Sequence, residues 1–115
     1  MAGLFSKLFG SNTQIISLTP KEFWERYKND KNAVLIDVRT KEEYNQIKIP
    51  KSKLIDIYSP NFVKEISKLK IDGSYYVYCR SGSRSKNAVI EMSKLGITKV
   101  FNLAGGISSW DGPTE

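Results

Sequence analysis

The chain has 115 residues, of which 40% are hydrophobic and 11% aromatic, and its formal net charge is +6. That size and composition fit one globular domain and exclude a disordered tail, a disulfide scaffold or a pair of domains. One cysteine and no histidine exclude an intramolecular disulfide, a cysteine-cluster or His-ligated metal site, and every Ser-His or Cys-His nucleophile pair. No metal and no cofactor is therefore expected. The basic balance favours anionic partners, but no nucleic-acid motif accompanies it, so nucleic acid is not an expected partner. The unpaired thiol fits a reducing, cytoplasmic compartment. No apolar run is long enough to span a bilayer, and no signal-peptide core is seen.

Residues 1–14 read as a leader. Leu4, Phe5, Leu8 and Phe9 fall on one face of a short helix over residues 3–10. The plain reading is a frayed or packed leader, and the sharper one is weak contact with a membrane surface. Ala2 in place of glycine excludes myristoylation. Residues 15–112 form the domain. Ile15 to Leu18 reads as a first strand, and Thr19-Pro20-Lys21-Glu22 as a capping box with proline at the first helical position. The helix behind it carries Phe23, Trp24 and Tyr27 on one side and ends near Asn29-Asp30. Ala33 to Ile36 is a continuous apolar run, the pattern of a strand buried on both faces. Asp37-Val38-Arg39 closes it, and a second capping box, Thr40 to Glu43, opens a helix to about Ile47.

Lys53 to Tyr58 reads as another strand, and Ser59-Pro60 as the opening of a helix through Phe62, Ile66 and Leu69. Tyr75 to Tyr78 is strongly strand-forming. A glycine-containing loop then leads into a helix over Ser85–Leu95, stopped by Gly96. Lys99 to Asn102 is the last strand, and Gly105-Gly106 opens a short helix containing Trp110. Such alternation predicts an α/β fold: a mostly parallel sheet with helices on both faces, and a ligand site beyond the C-terminal ends of the strands. Asp37 to Arg39 and Cys79 both sit at strand ends.

Cys79 is followed by Arg80, Ser81, Gly82, Ser83, Arg84 and Ser85. Curled around the sulfur, this loop would aim successive amide N–H groups at one point, and the following helix would add the positive end of its dipole. Gly82 permits the curl, and Arg80 and Arg84 add charge. A helix N-terminus and nearby cations favour thiolate over thiol, so Cys79 can act as a nucleophile without a histidine base. A lone cysteine ending an apolar strand is ordinarily a small core residue. The cationic glycine loop and the helix start reverse that balance.

Three stretches carry a resemblance to the rhodanese family, specifically its small single-domain members: Asp37-Val38-Arg39 with Glu42-Glu43-Tyr44, the loop Cys79 to Ser85, and Leu103-Ala104-Gly105-Gly106 with Trp110. The resemblance covers Ile15 to Gly112. It implies a sulfurtransferase that takes a sulfane sulfur from a small anionic donor, such as thiosulfate or a persulfide, onto Cys79. The persulfide then passes its sulfur to a thiol, a protein sulfur acceptor or cyanide. It also implies that Asp37, Arg39 and Glu43 support the site by holding the fold, and that Trp110 anchors the core. One departure stands out. Where the family usually shows Gly-His-Ile and then Gly-Ala, this chain has Ile47-Lys48-Ile49 and then Lys51-Ser52, with Lys48, Lys51 and Lys53 adding charge.

Two alternatives stay open. A phosphatase or arsenate reductase of related fold also uses a cysteine in an anion-binding loop, but typically with a loop one residue longer than the four residues here between Cys79 and Arg84. A non-catalytic rhodanese-like binding module usually lacks the cysteine.

Overall fold

The computed structural model describes residues 15–115, so the leader and the amphipathic segment 3–10 lie outside the described residues. Five strands, β1 (Ile16–Leu18), β2 (Ala33–Asp37), β3 (Lys53–Leu54), β4 (Ser74–Tyr78) and β5 (Lys99–Leu103), form one all-parallel sheet in the order β1-β5-β4-β2-β3. Four helices connect them: α1 (Pro20–Lys28), α2 (Lys41–Gln46), α3 (Phe62–Ile66) and α4 (Ser83–Lys94). Both capping boxes form. The Thr19 hydroxyl accepts from the Glu22 amide, the Thr40 hydroxyl from the Glu43 amide, and each glutamate accepts in return from its threonine's amide. Among the described residues, no helix is long and apolar enough to cross a membrane.

Every residue of β4 is buried, which is why its sequence reads as an unbroken strand-forming run. Alternate side chains serve opposite layers. Tyr75, Val77 and Cys79 join Ile36, Phe62, Ile66, Ala88, Val89 and Met92 beneath α3 and α4. Tyr76 and Tyr78 face the other way, with Leu35, Phe23 of α1 and Leu103, against which Trp110 packs. Aromatic edges lock this second layer: Phe23 meets Tyr76 at 5.5 Å and Trp110 at 6.1 Å between ring centroids.

The structure departs from the sequence reading at several element ends. β3 stops at Leu54 rather than Tyr58. The Ile55 and Ile57 amides still bond to the Asp37 and Val38 carbonyls, but the Asp56 carboxylate caps the Tyr58 amide at 2.8 Å and turns the chain into Ser59. α3 ends at Ile66, and α4 begins at Ser83, two residues early, because left-handed Gly82 serves as its N-cap. After β5 the chain makes a 3-10 turn over Gly106–Ser109, with Trp110 just beyond it.

In register, Asp37 lies opposite Tyr78. The two central strands therefore release Val38-Arg39 and Cys79 side by side at the same end of the sheet, and the Val38 amide bonds to the Tyr78 carbonyl.

Candidate active site

Cys79 directly follows β4 and has no exposed surface. The chain then doubles back through Gly82, at φ 109°, a conformation that favours glycine. The Gly82 amide donates to Cys79 Sγ at 3.0 Å, the Ser85 amide reaches it at 3.4 Å, and Ser85 Oγ lies 3.4 Å away. Burial pushes the thiol up. Hydrogen bonds from the Ser85 hydroxyl and from the Ser85, Gly82 and Ser81 amides outweigh it and hold Cys79 below its ordinary value. The sulfur thus rests in the first turn of α4, cradled by neutral donors.

The two arginines sit differently from each other. Arg80 is exposed, as are Ser81 and Ser83. Arg84 forks onto Glu43, Nη1 to Oε1 at 2.8 Å and Nη2 to Oε2 at 2.9 Å, with its guanidinium 5.7 Å from the ring centre of Tyr58. Glu43 therefore has two tasks, capping α2 and tying it to the cradle helix. The Arg84 guanidinium holds the Glu43 carboxyl at about 2, against an ordinary 4.5. A folded carboxyl that is the stronger acid stabilises the fold fully above the ordinary value and loses that contribution as pH falls toward about 2. Unfolding by denaturant between about pH 5 and 2.5 should show the intact chain losing about 1–2 kcal/mol more than Glu43→Gln.

Asp37 and Arg39 form a second, buried pair. Arg39 Nη2 lies 2.7 Å from Asp37 Oδ2, and Nε donates to both carboxylate oxygens at 2.9 and 3.1 Å. Arg39 also donates to the Ile47 carbonyl at 2.6 Å and lies over the Tyr78 ring. Burial opposes the Arg39 charge, and Asp37 more than restores it, leaving its pKa raised. This pair fastens the segment where the chain departs from the family pattern. There Ile49 is buried, Lys48 pairs its backbone with Glu115 in both directions, and Lys51 adopts φ 70°.

Asp37, Arg39, Glu43, Cys79, Gly82, Arg84 and Ser85 thus gather at one end of the sheet. Lys48, Lys51 and Lys53 do not converge on the cradle. Lys48 lies 3.8 Å from the Glu115 carboxylate, and Lys53 lines a groove of about 490 Å³ with Lys68, Lys70 and Asp72. Beside the cradle, Arg39, Glu43, Gln46, Ile47, Arg80, Ile107 and Ser108 line a cavity of about 320 Å³. Cys79 is not among its lining residues, and its sulfur lies fully buried behind them.

Sequence reasoning missed Asn102 and Ser17. Asn102 of β5 is fully buried and hydrogen-bonds Ser85 Oγ through Oδ1 and Ser17 Oγ through Nδ2. The one available signal was an asparagine between the apolar Phe101 and Leu103 of a strand. Among the described residues, no group of three or more His, Cys, Asp or Glu could hold a metal ion.

The rhodanese-like domain model matches residues 19–112. A sulfurtransferase of Allochromatium vinosum is 34% identical over 75% of this chain and 78% of its own length. YrkF of Bacillus subtilis is 31% identical over 90% of this chain, which spans 55% of YrkF, and the chain spans only 24% of MoeZ of Mycobacterium tuberculosis. The crystal structure of a rhodanese-like domain protein from Staphylococcus aureus aligns with a TM-score of 0.76 at 29% identity, covering 88% of this chain and 97% of that one. The chain belongs to the rhodanese-like domain family, a family of sulfurtransferase type.

Proposed function

We propose that the protein transfers sulfane sulfur through a persulfide on Cys79. The Cys79 thiolate attacks the outer sulfur of thiosulfate, or of a persulfide donor. The S–S bond of the donor breaks, sulfite or a thiolate leaves with the electron pair, and Cys79 carries the new S–S bond. A second nucleophile, a thiol of a small molecule or protein, or cyanide, then takes the outer sulfur and returns Cys79 as thiolate. With one cysteine in the chain, nothing resolves the persulfide internally, so the cycle is two-step and ping-pong. A lone unpaired thiol is suited to a reducing, cytoplasmic compartment.

One observation carries this reading: the sulfur receives main-chain N–H donors at the start of α4 while no imidazole exists to act as base. The same donors would hold the charged outer sulfur. Arg80 and Ser83 are exposed residues of the loop, Ser81, Gly82 and Ser85 supply donors, and Arg84 fixes the helix through Glu43. Asp37 and Arg39 hold the neighbouring loop. The sulfur is fully buried, which favours small or slender donors. The four-residue spacing from Cys79 to Arg84 suits a single sulfur atom better than a phosphate.

The test is intact mass after incubation with thiosulfate and, separately, with glutathione persulfide, beside a phosphatase assay. One added sulfur that a reductant removes, absent in Cys79→Ala, is expected, with negligible ester hydrolysis. Robust hydrolysis would move the protein to phosphatase chemistry. Neither activity would leave a binding module.

A further inference from the structure

We propose that Asn102 and Ser17 are positioning residues for the sulfur, forming with Ser85 a hydrogen-bond relay whose direction reverses when Cys79 becomes charged. The Ser85 hydroxyl has one proton and three acceptors in reach: Cys79 Sγ at 3.4 Å, the Gly82 carbonyl at 3.1 Å and Asn102 Oδ1. What Asn102 offers decides where that proton goes. Asn102 is fully buried, and its other end meets Ser17 Oγ at 3.0 Å, from the residue directly opposite it in the β1–β5 register.

In the arrangement seen, Ser85 donates to Asn102 Oδ1 and Asn102 Nδ2 donates to Ser17. The Ser85 proton points away from sulfur, which suits a neutral thiol. With the amide turned over, Ser17 donates to Oδ1, Nδ2 donates to Ser85 Oγ, and the Ser85 proton is released to a thiolate or persulfide. A serine hydroxyl both donates and accepts, so each arrangement makes the same number of hydrogen bonds within the relay, and the charge on sulfur selects between them. Cys79 shares its buried cluster with the apolar Ile36, Val38 and Ala88. Arg84 is the charged group whose field couples to the sulfur, and Glu43 already pairs with it. The relay is therefore the adjustable part of the cradle.

This inference rests on the sulfur-transfer reading only in requiring a charged sulfur. Its test uses no sulfur donor, so failure of loading and failure of the relay are separate results. The thiolate absorbance of the sole cysteine is titrated in the full chain, in Ser85→Ala, Asn102→Leu, the double variant and Ser17→Val, with a thermal melt showing each folded. Ser85→Ala and Asn102→Leu are each expected to raise the midpoint by about 0.5–1, about threefold to tenfold less thiolate at a pH below it. The double variant should shift no further than Ser85→Ala alone. Ser17→Val, on an exposed edge strand, should raise the midpoint by about 0.3–0.5 and carries the test even if Asn102→Leu does not fold. Unchanged or lowered midpoints, or strictly additive shifts, overturn the relay.

Discussion

Asp37→Ala is expected to destabilise the domain by about 3–5 kcal/mol, lowering the thermal midpoint by roughly 10–20 °C. Asp37 is fully buried and Arg39 nearly so, at 3% exposure. Removing the carboxylate strands a guanidinium among Tyr78, Ile47 and the strand ends, where its remaining acceptor is the Ile47 carbonyl. The cost is that of an uncompensated charge, larger than the net worth of the pair. Hence Asp37→Leu combined with Arg39→Met should recover at least half of the lost stability in a denaturant melt. If the double variant is as unstable as Asp37→Ala, the pair contributes by shape rather than by charge compensation.

Gly106→Ala is expected to cost about 3 kcal/mol and to shift the thiol toward its ordinary behaviour. Gly106 stands at φ 62°, and a methyl group there would meet the Arg80 carbonyl and come within 2.6 Å of the Cys79 carbonyl oxygen. Those carbonyls accept from the Ser108 and Ile107 amides, so the 3-10 turn clamps the backbone from which the cradle springs. Only backbone can give way. Folding of Gly106→Ala by circular dichroism, followed by a thiol titration, checks both effects. A variant as stable as the parent would show that the clamp is slack.

Much of this was legible in the chain. Thr19/Glu22 and Thr40/Glu43 announced two helix starts because a capping box is wholly local chemistry. Cys79 with the loop after it announced a turn of amides around the sulfur because glycine and a helix start follow the cysteine directly. What was hidden depends on partners distant in sequence. Glu43 was read as a cap and supporting group, and its fork onto Arg84, 41 positions away, depends on how α2 and α4 pack. Arg84, expected to lend its charge to the sulfur, also clamps α4 to α2 for that same reason. Asn102 and Ser17 escaped notice because strand pairing, not local pattern, brings β1 beside β5. The end of β3 escaped because the alternation Lys53 to Tyr58 looks extended, while Asp56 turns the chain with its own side chain.

The most direct measurement is the ultraviolet titration of the thiol in the full chain, taken as the difference from Cys79→Ala so that the tyrosines cancel. A cradle of amide and hydroxyl donors predicts ionisation below the ordinary 9.0 despite complete burial. A midpoint at or above that value would mean that burial wins over the donors, and Cys79 would be a core residue rather than a sulfur carrier.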